Sequence, residues 1–232
     1  GTAIGDTVDG TDVTTTPARD DTACRGGYEL DGFGAAHPYG PGTAAVTSGP
    51  YFGFDIANAI AVRGDGASGY VLDGYGGVHS FNGAPTLGGG PYFGFDAARD
   101  IALREDGTSG YLLDAYGAVH PLGGAPSVAV TKYTAGQDLA RRLVLRPDGE
   151  TGWVVFANGE LAEFGPTGVV VPDATGPSFS GDVARDVVVN HEGRSGYVLD
   201  NRGALHPFST AYGTAGPTIS GPYFPYSAAK AA

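Results

Sequence analysis

The chain of 232 residues holds one cysteine, Cys24. An intrachain disulfide is therefore impossible, and metal sites built from several cysteines are excluded. Basic residues are scarce: 13 Lys and Arg stand against 25 Asp and Glu, for a net charge of −12. So acidic a chain lacks the basic patches that hold DNA, RNA or an anionic membrane as a main partner. Long apolar runs are missing too, and no stretch approaches the roughly 18 residues of a membrane-spanning helix. No useful window repeats at the helical period. The chain has no G-x-S-x-G, no H-E-x-x-H and no phosphate-cradling glycine loop, so the common catalytic signatures are absent.

Glycine is abundant. With 41 Gly and 16 Pro, about a quarter of the chain is turn-forming, yet 41% is hydrophobic and 11% aromatic. That combination excludes disorder and fits many short strands joined by tight turns.

A repeat organises these residues. A glycine-aromatic pair occurs at Gly27-Tyr28, Gly69-Tyr70, Gly110-Tyr111, Gly152-Trp153 and Gly196-Tyr197, with successive spacings of 42, 41, 42 and 44 residues. Seven residues after each first glycine comes another: Gly34, Gly76, Gly117, Gly159 and Gly203. Four residues after it stand Asp31, Asp73, Asp114, Phe156 and Asp200; ten after it, His37, His79, His120, Ala162 and His206. Fourteen residues before the last four stand Asp55, Asp96, Asp138 and Asp182. Within one unit, "ARDIALR" (98–104) predicts a strand, "EDGTS" a hairpin turn, "GYLLDA" a second strand and "AVHPLG" a third. A poor fourth strand follows.

Four strands in about 42 residues, repeated, predict an all-β fold, a five-bladed β-propeller. "PARDDTACRGGYEL" near the start and "GPYFPYSAAKAA" at the end match complementary parts of one unit. The N- and C-terminal segments are thus expected to share one blade, which removes free sheet edges. Residues 17–232 form the single propeller in this reading, and 1–16 a flexible lead-in.

Propeller geometry sends the loops between units and the turns between second and third strands to one face. That face would collect Phe33, Tyr75 and Tyr116 from the turns, and Tyr51, Phe52, Phe54, Tyr92, Phe93, Phe95, Tyr133, Phe179, Tyr223, Phe224 and Tyr226 from the loops, of which Tyr51, Phe54, Tyr92, Phe95 and Tyr133 are the candidate ligand contacts. Asp55, Asp96 and Asp138 lie at its inner edge. Aromatic rings beside carboxylates and glycine backbone suit sugar binding, since a ring stacks on the apolar face of a sugar and polar groups satisfy its hydroxyls. Some of these aromatics must instead wedge between units. The Asp of "LDGYG" suits turn capping, because its side chain bonds backbone two residues on. Asp55, Asp96, Asp138 and Asp182 could cap their loops, pair with Arg99, Arg141 or Arg185, or ring a channel mouth. The repeated His lies away from the axis, where a shared metal is not expected, and is predicted to pack between units with one ring nitrogen bonded to backbone. Carboxylates that repeat with the units fit several equal weak sites better than one catalytic pair. The fourth unit, with Phe156 and Ala162, reads as a site that has lost its function.

The units carrying "GYVLDGYGGVHSFNGAP" and "PYFGFDAARDIAL" resemble a secreted propeller repeat of actinobacteria, often attached to cell-wall or extracellular enzyme domains. Five such units also resemble the tachylectin-type five-bladed lectins in blade number and size. The resemblance implies a secreted, non-catalytic carbohydrate-binding module without cofactor or metal, holding glycans or polysaccharide at several weak sites. A protein-interaction or targeting scaffold is the alternative, and a propeller glycosidase a third.

Overall fold

A computed structural model describes residues 26–169 and 173–227. The expected lead-in (1–16) and the chain ends 17–25 and 228–232, parts of the terminal segments expected to share one unit, lie outside the described residues. Among the described residues the fold is all-β, without helices. Five small antiparallel sheets follow one another along the chain. The first holds β1 (Gly27–Leu30) and β2 (Ala36–Tyr39). The second holds β3 (Ala57–Val62), β4 (Gly69–Asp73) and β5 (Val78–Phe81), and the third β6 (Ala98–Leu103), β7 (Gly110–Asp114) and β8 (Val119–Leu122). The fourth adds the outer strand β9 (Ala129–Val130) to β10 (Ala140–Leu145), β11 (Gly152–Phe156) and β12 (Leu161–Gly165). In the fifth, β13 (Ala174–Thr175) joins β14 (Ala184–Val189), β15 (Ser195–Asp200) and β16 (Leu205–Thr210).

The fourth strand departs from the sequence expectation. β9 and β13 do not complete the unit they follow. They pair with β12 and β16, the third strands of the next sheet. Each connection therefore laps onto its successor before turning in to the inner strand.

The middle strands β4, β7 and β11 are buried along their whole length. A sheet covered on both faces needs apolar side chains in both directions, which is why "GYVLD" shows no alternation. Each junction has its own core: Tyr70 and Leu72 pack with Ile101 and Leu112, Leu113 with Leu143 and Val154, Val155 with Val187 and Val198, and Tyr28 with Val71 and Phe81. The recurrent glycine of the motif is a matter of space. A Cβ at Gly152 would meet the backbone oxygen of Val144 and come within 2.7 Å of the Phe164 ring.

The first strands β3, β6, β10 and β14 lie side by side in that order. Each has a bulge at its second residue, between Ala57 and Ala59, Ala98 and Asp100, Ala140 and Arg142, and Ala184 and Asp186. A bulge takes a residue out of the ladder and re-aims its side chain. Asn58, Arg99, Arg141 and Arg185 are so freed to reach the loop carboxylates. A cavity of about 860 Å³ is lined by residues of all five sheets, among them Tyr28, Asn58, Asp100, Arg142 and Asp186.

Candidate functional site

The junctions share one backbone contact. The loop entering a unit docks on the preceding turn through one backbone bond: Phe52 N–H to Phe33 O, Phe93 to Tyr75, Thr134 to Tyr116, Phe179 to Asn158 and Phe224 to Arg202, all 2.7–2.8 Å. The docked segment is extended, so neighbouring side chains point opposite ways. In "PYF" the Phe turns in and the Tyr turns out.

The inward Phe is a wedge. Phe52 sits where a Cβ on Gly34 would come within 2.6 Å, and it meets the His79 ring edge-on at 4.8 Å. Phe93 lies between Gly76 and His120, and Phe179 between Gly159 and His206, in the same way. The histidines differ from expectation. Their Nε2 atoms lie 2.8–3.0 Å from the turn carboxylates Asp31, Asp73, Asp114 and Asp200, not on backbone. The other oxygen of each Asp accepts the turn N–H groups, as Asp73 Oδ1 does from Tyr75 and Gly77. A carboxylate accepts up to about four bonds, so one Asp holds both turn and imidazole. The Asp31 carboxyl is lowered from its ordinary value by the His37 bond above all. For Asp200 burial works upward, but His206 and two backbone N–H groups outweigh it and hold it low.

The outward tyrosines pair with the turn aromatics. Phe33 and Tyr51 stack at 6.1 Å between ring centroids and 20° between planes. Tyr75 with Tyr92, and Tyr116 with Tyr133, meet edge-on at 6.2 Å. Tyr51, Tyr92 and Tyr133 are 72%, 71% and 56% exposed, so they are not core residues. At the fifth turn Arg202 Nη1 donates to Tyr223 Oη at 2.8 Å. At the fourth, Asn158 and Ser178 take the places of the two rings. Phe54 and Phe95, from the same loops, are exposed.

Two of the carboxylates named from sequence, Asp96 and Asp138, are engaged by arginine. Arg99 Nη1 donates to Asp96 at 2.8 Å, and its Nε and Nη2 to Asp138 at 3.1 and 2.7 Å. Arg141 joins Asp138 to Asp182, and Arg185 Nη1 reaches Asp182 at 2.6 Å. Asn58 Nδ2 donates to Asp96. This belt of alternating charge links consecutive units. Burial tends to raise the Asp138 carboxyl, but Arg99 and Arg141 outweigh it and hold it low. Asp55 holds the corresponding place at the first junction, against Gly32.

No known family model matches this chain, and no curated protein shows significant similarity to it. Function is therefore argued from the site itself. A groove of about 400 Å³ runs beside Tyr51, lined by Gly34, Ala36, Thr47, Ser48, Pro50 and Phe81. Its counterpart at the fourth junction, about 410 Å³, is lined by Gly159, Leu161, Thr175, Pro177 and Ser178. Of the segments that wall these grooves, the loop starts at 49–50 and 176–177 belong to the loops read from sequence, while 46–48 and 174–175 were not singled out. Among the described residues no group of three or more His, Cys, Asp or Glu converges as metal ligands do.

Proposed function

We propose that the chain is a five-bladed β-propeller that binds neutral carbohydrate at its blade junctions, through exposed aromatic pairs beside shallow grooves. The observation that carries this is the repetition of Phe33–Tyr51, Tyr75–Tyr92 and Tyr116–Tyr133 at equivalent places, each with an exposed tyrosine. Scattered exposed aromatics need no explanation, but the same pair kept three times in succession does. Phe54 and Phe95 are further exposed rings of the same loops, followed directly in sequence by Asp55 and Asp96, and Asp138 closes the third loop. Ser48 and Thr47 offer hydroxyls to a sugar at the first groove. The cavity lined by all five sheets and the side-by-side first strands support the propeller. The module is read as non-catalytic, since its repeated carboxylates are engaged in turns and ion pairs, and as secreted on the resemblance of its repeat alone. Several weak sites on one face would act together on a glycan-coated surface.

A polysaccharide pull-down and a glycan array test it: the native chain is retained, and the Tyr51→Ala/Tyr92→Ala/Tyr133→Ala variant is not. Absence of binding at millimolar sugar would reject the proposal. The exposed Phe54 and Phe95 favour a second reading, a docking face for a partner protein. In that case one substitution in a contiguous patch would abolish binding, whereas separate sugar sites would lose avidity stepwise.

A further inference from the structure

The arginine belt repeats one fork twice and leaves a third open. Arg99 donates from Nε and Nη2 to the two oxygens of Asp138, at 3.1 and 2.7 Å. Arg141 does the same to Asp182, at 3.2 and 3.0 Å. Each of these carboxylates ends the loop that enters the next unit, while Nη1 turns back to the carboxylate of the arginine's own loop. Arg185 keeps the backward half, with Nη1 on Asp182 at 2.6 Å and on Ala184 O at 2.8 Å. Its forward edge is different. Nη2 donates to the Asp182 carbonyl at 3.2 Å, and Nε has no acceptor among the described residues.

The cause lies in the fifth loop. Segments 176–182 and 221–227 are equally long, and both dock through their Phe, Phe179 on Asn158 O and Phe224 on Arg202 O. The first ends on Asp182 and the second on Ser227, which brings no charge. The open fork borders a cavity of about 270 Å³ lined by Asn58, Asp96, Arg99, Arg141, Arg142 and Arg185. Four guanidinium groups and one carboxylate make this wall cationic in a chain of net charge −12. Arg142 stands between Asp100 and Asp186, at 3.4 Å from Nη1 and 3.2 Å from Nε, and its Nη2 has no acceptor among the described residues. The four arginine side chains are only 17% to 23% exposed. A donor so covered costs free energy until an acceptor meets it.

We infer that this pocket binds a small carboxylate ligand, which takes at Arg185 the place that Asp138 takes at Arg99 and Asp182 at Arg141. The planar guanidinium edge matches both oxygens of a carboxylate, and the molecule displays that pairing twice in the same belt. Asp182 on the same guanidinium is no obstacle, because Arg141 already holds Asp138 and Asp182 at once. Arg142 Nη2 adds a donor from the floor of the same pocket. One water takes about 30 Å³, so the pocket has room for a carboxylate and a short carrier.

Acetate is the probe, and the full chain with labelled arginine Nε is the reporter. Millimolar acetate shifts the Arg185 Nε–H signal and leaves those of Arg99 and Arg141, already bonded to Asp138 and Asp182, unmoved. Ser227→Asp supplies the missing carboxylate from the chain itself, so it abolishes the acetate shift and raises Tm by about 2 °C. Ser227→Asn does neither. Arg185→Gln weakens acetate binding by about tenfold or more in calorimetry. Equal shifts at all three arginines would show a general salt effect and overturn the inference. So would acetate binding that survives in both Ser227→Asp and Arg185→Gln, or binding of methyl phosphate where acetate leaves Arg185 silent. Acetate has no apolar face to stack on a tyrosine, so its binding stands or falls apart from the sugar sites.

Discussion

Phe156 and Gly117 face each other across the third junction, so close that a Cβ on the glycine would come within 2.7 Å of the ring. Elsewhere that space is filled from the incoming loop by Phe52, Phe93 or Phe179, with a His behind it held by an Asp. In the fourth unit Thr134 stands in the loop, Phe156 replaces the Asp, and Ala162 replaces the His. Lys132 lies over the Phe156 ring at 4.6 Å and pairs with Glu160. Three changes that look like decay in the sequence are one exchange, in which the wedge is supplied from the opposite side.

Coupling between these positions follows. Phe156→Ala empties a buried ring site and costs about 3–5 kcal/mol. Thr134→Phe alone overpacks the junction and costs about 1–3 kcal/mol. Together they are milder than their sum, because the loop Phe enters the vacated space. Urea unfolding of the four proteins measures the coupling; simple additivity would contradict the exchange.

The ion-pair belt gives a second coupling. Arg99 is largely buried and holds Asp96 and Asp138 at once. Arg99→Ala is expected to cost about 1–3 kcal/mol, above an isolated surface pair, because two carboxylates lose a charge-assisted partner. Asp138→Ala in that background adds little. Salt lowers the coupling only modestly if the guanidinium is as enclosed as it stands here.

Acid should loosen the molecule in a defined window. Asp65 is pulled down to about 2, chiefly by the Ser68 hydroxyl and the backbone N–H groups of Ala67 and Ser68. Asp138 and Asp182 are also low, where their arginines overcome the opposing effect of burial. Below the ordinary carboxylate value near pH 4 the unfolded chain takes up protons that the folded one refuses, so stability falls as pH drops. The loss sets in near pH 4 and continues to about pH 2, where Asp65 itself titrates. Asp100 acts in the other direction, since desolvation raises its carboxyl. Tm measured from pH 6 to pH 2 should decline below pH 4, with a smaller decline for Asp138→Asn.

The all-β class and the unit boundaries were legible because glycines and aspartates recur at fixed offsets, each with a local cause. Gly152 is dictated by the Phe164 ring, and Asp73 by the turn it caps. The division of labour within "PYF" was not legible. Tyr51 and Phe52 are both aromatic, and only the docking bond from Phe52 to Phe33 sets which of them turns inward. The second bond of Asp73, to His79, was hidden because it joins two strands six residues apart. The lapping of β9 and β13 onto the next sheet was hidden too, since strands of two residues carry no pattern to read. The arginine belt was one of several options from sequence, and the bulges that aim Arg99 and Arg141 decide it.

Carbohydrate recognition by the exposed tyrosines is the central claim, and it can be observed at the rings themselves. In a chain carrying ring-labelled tyrosine, titration with neutral oligosaccharide should shift the Tyr51, Tyr92 and Tyr133 ring signals together. The buried Tyr70 and Tyr111 should stay unmoved. Equal silence from the exposed and buried rings at millimolar sugar would contradict the account.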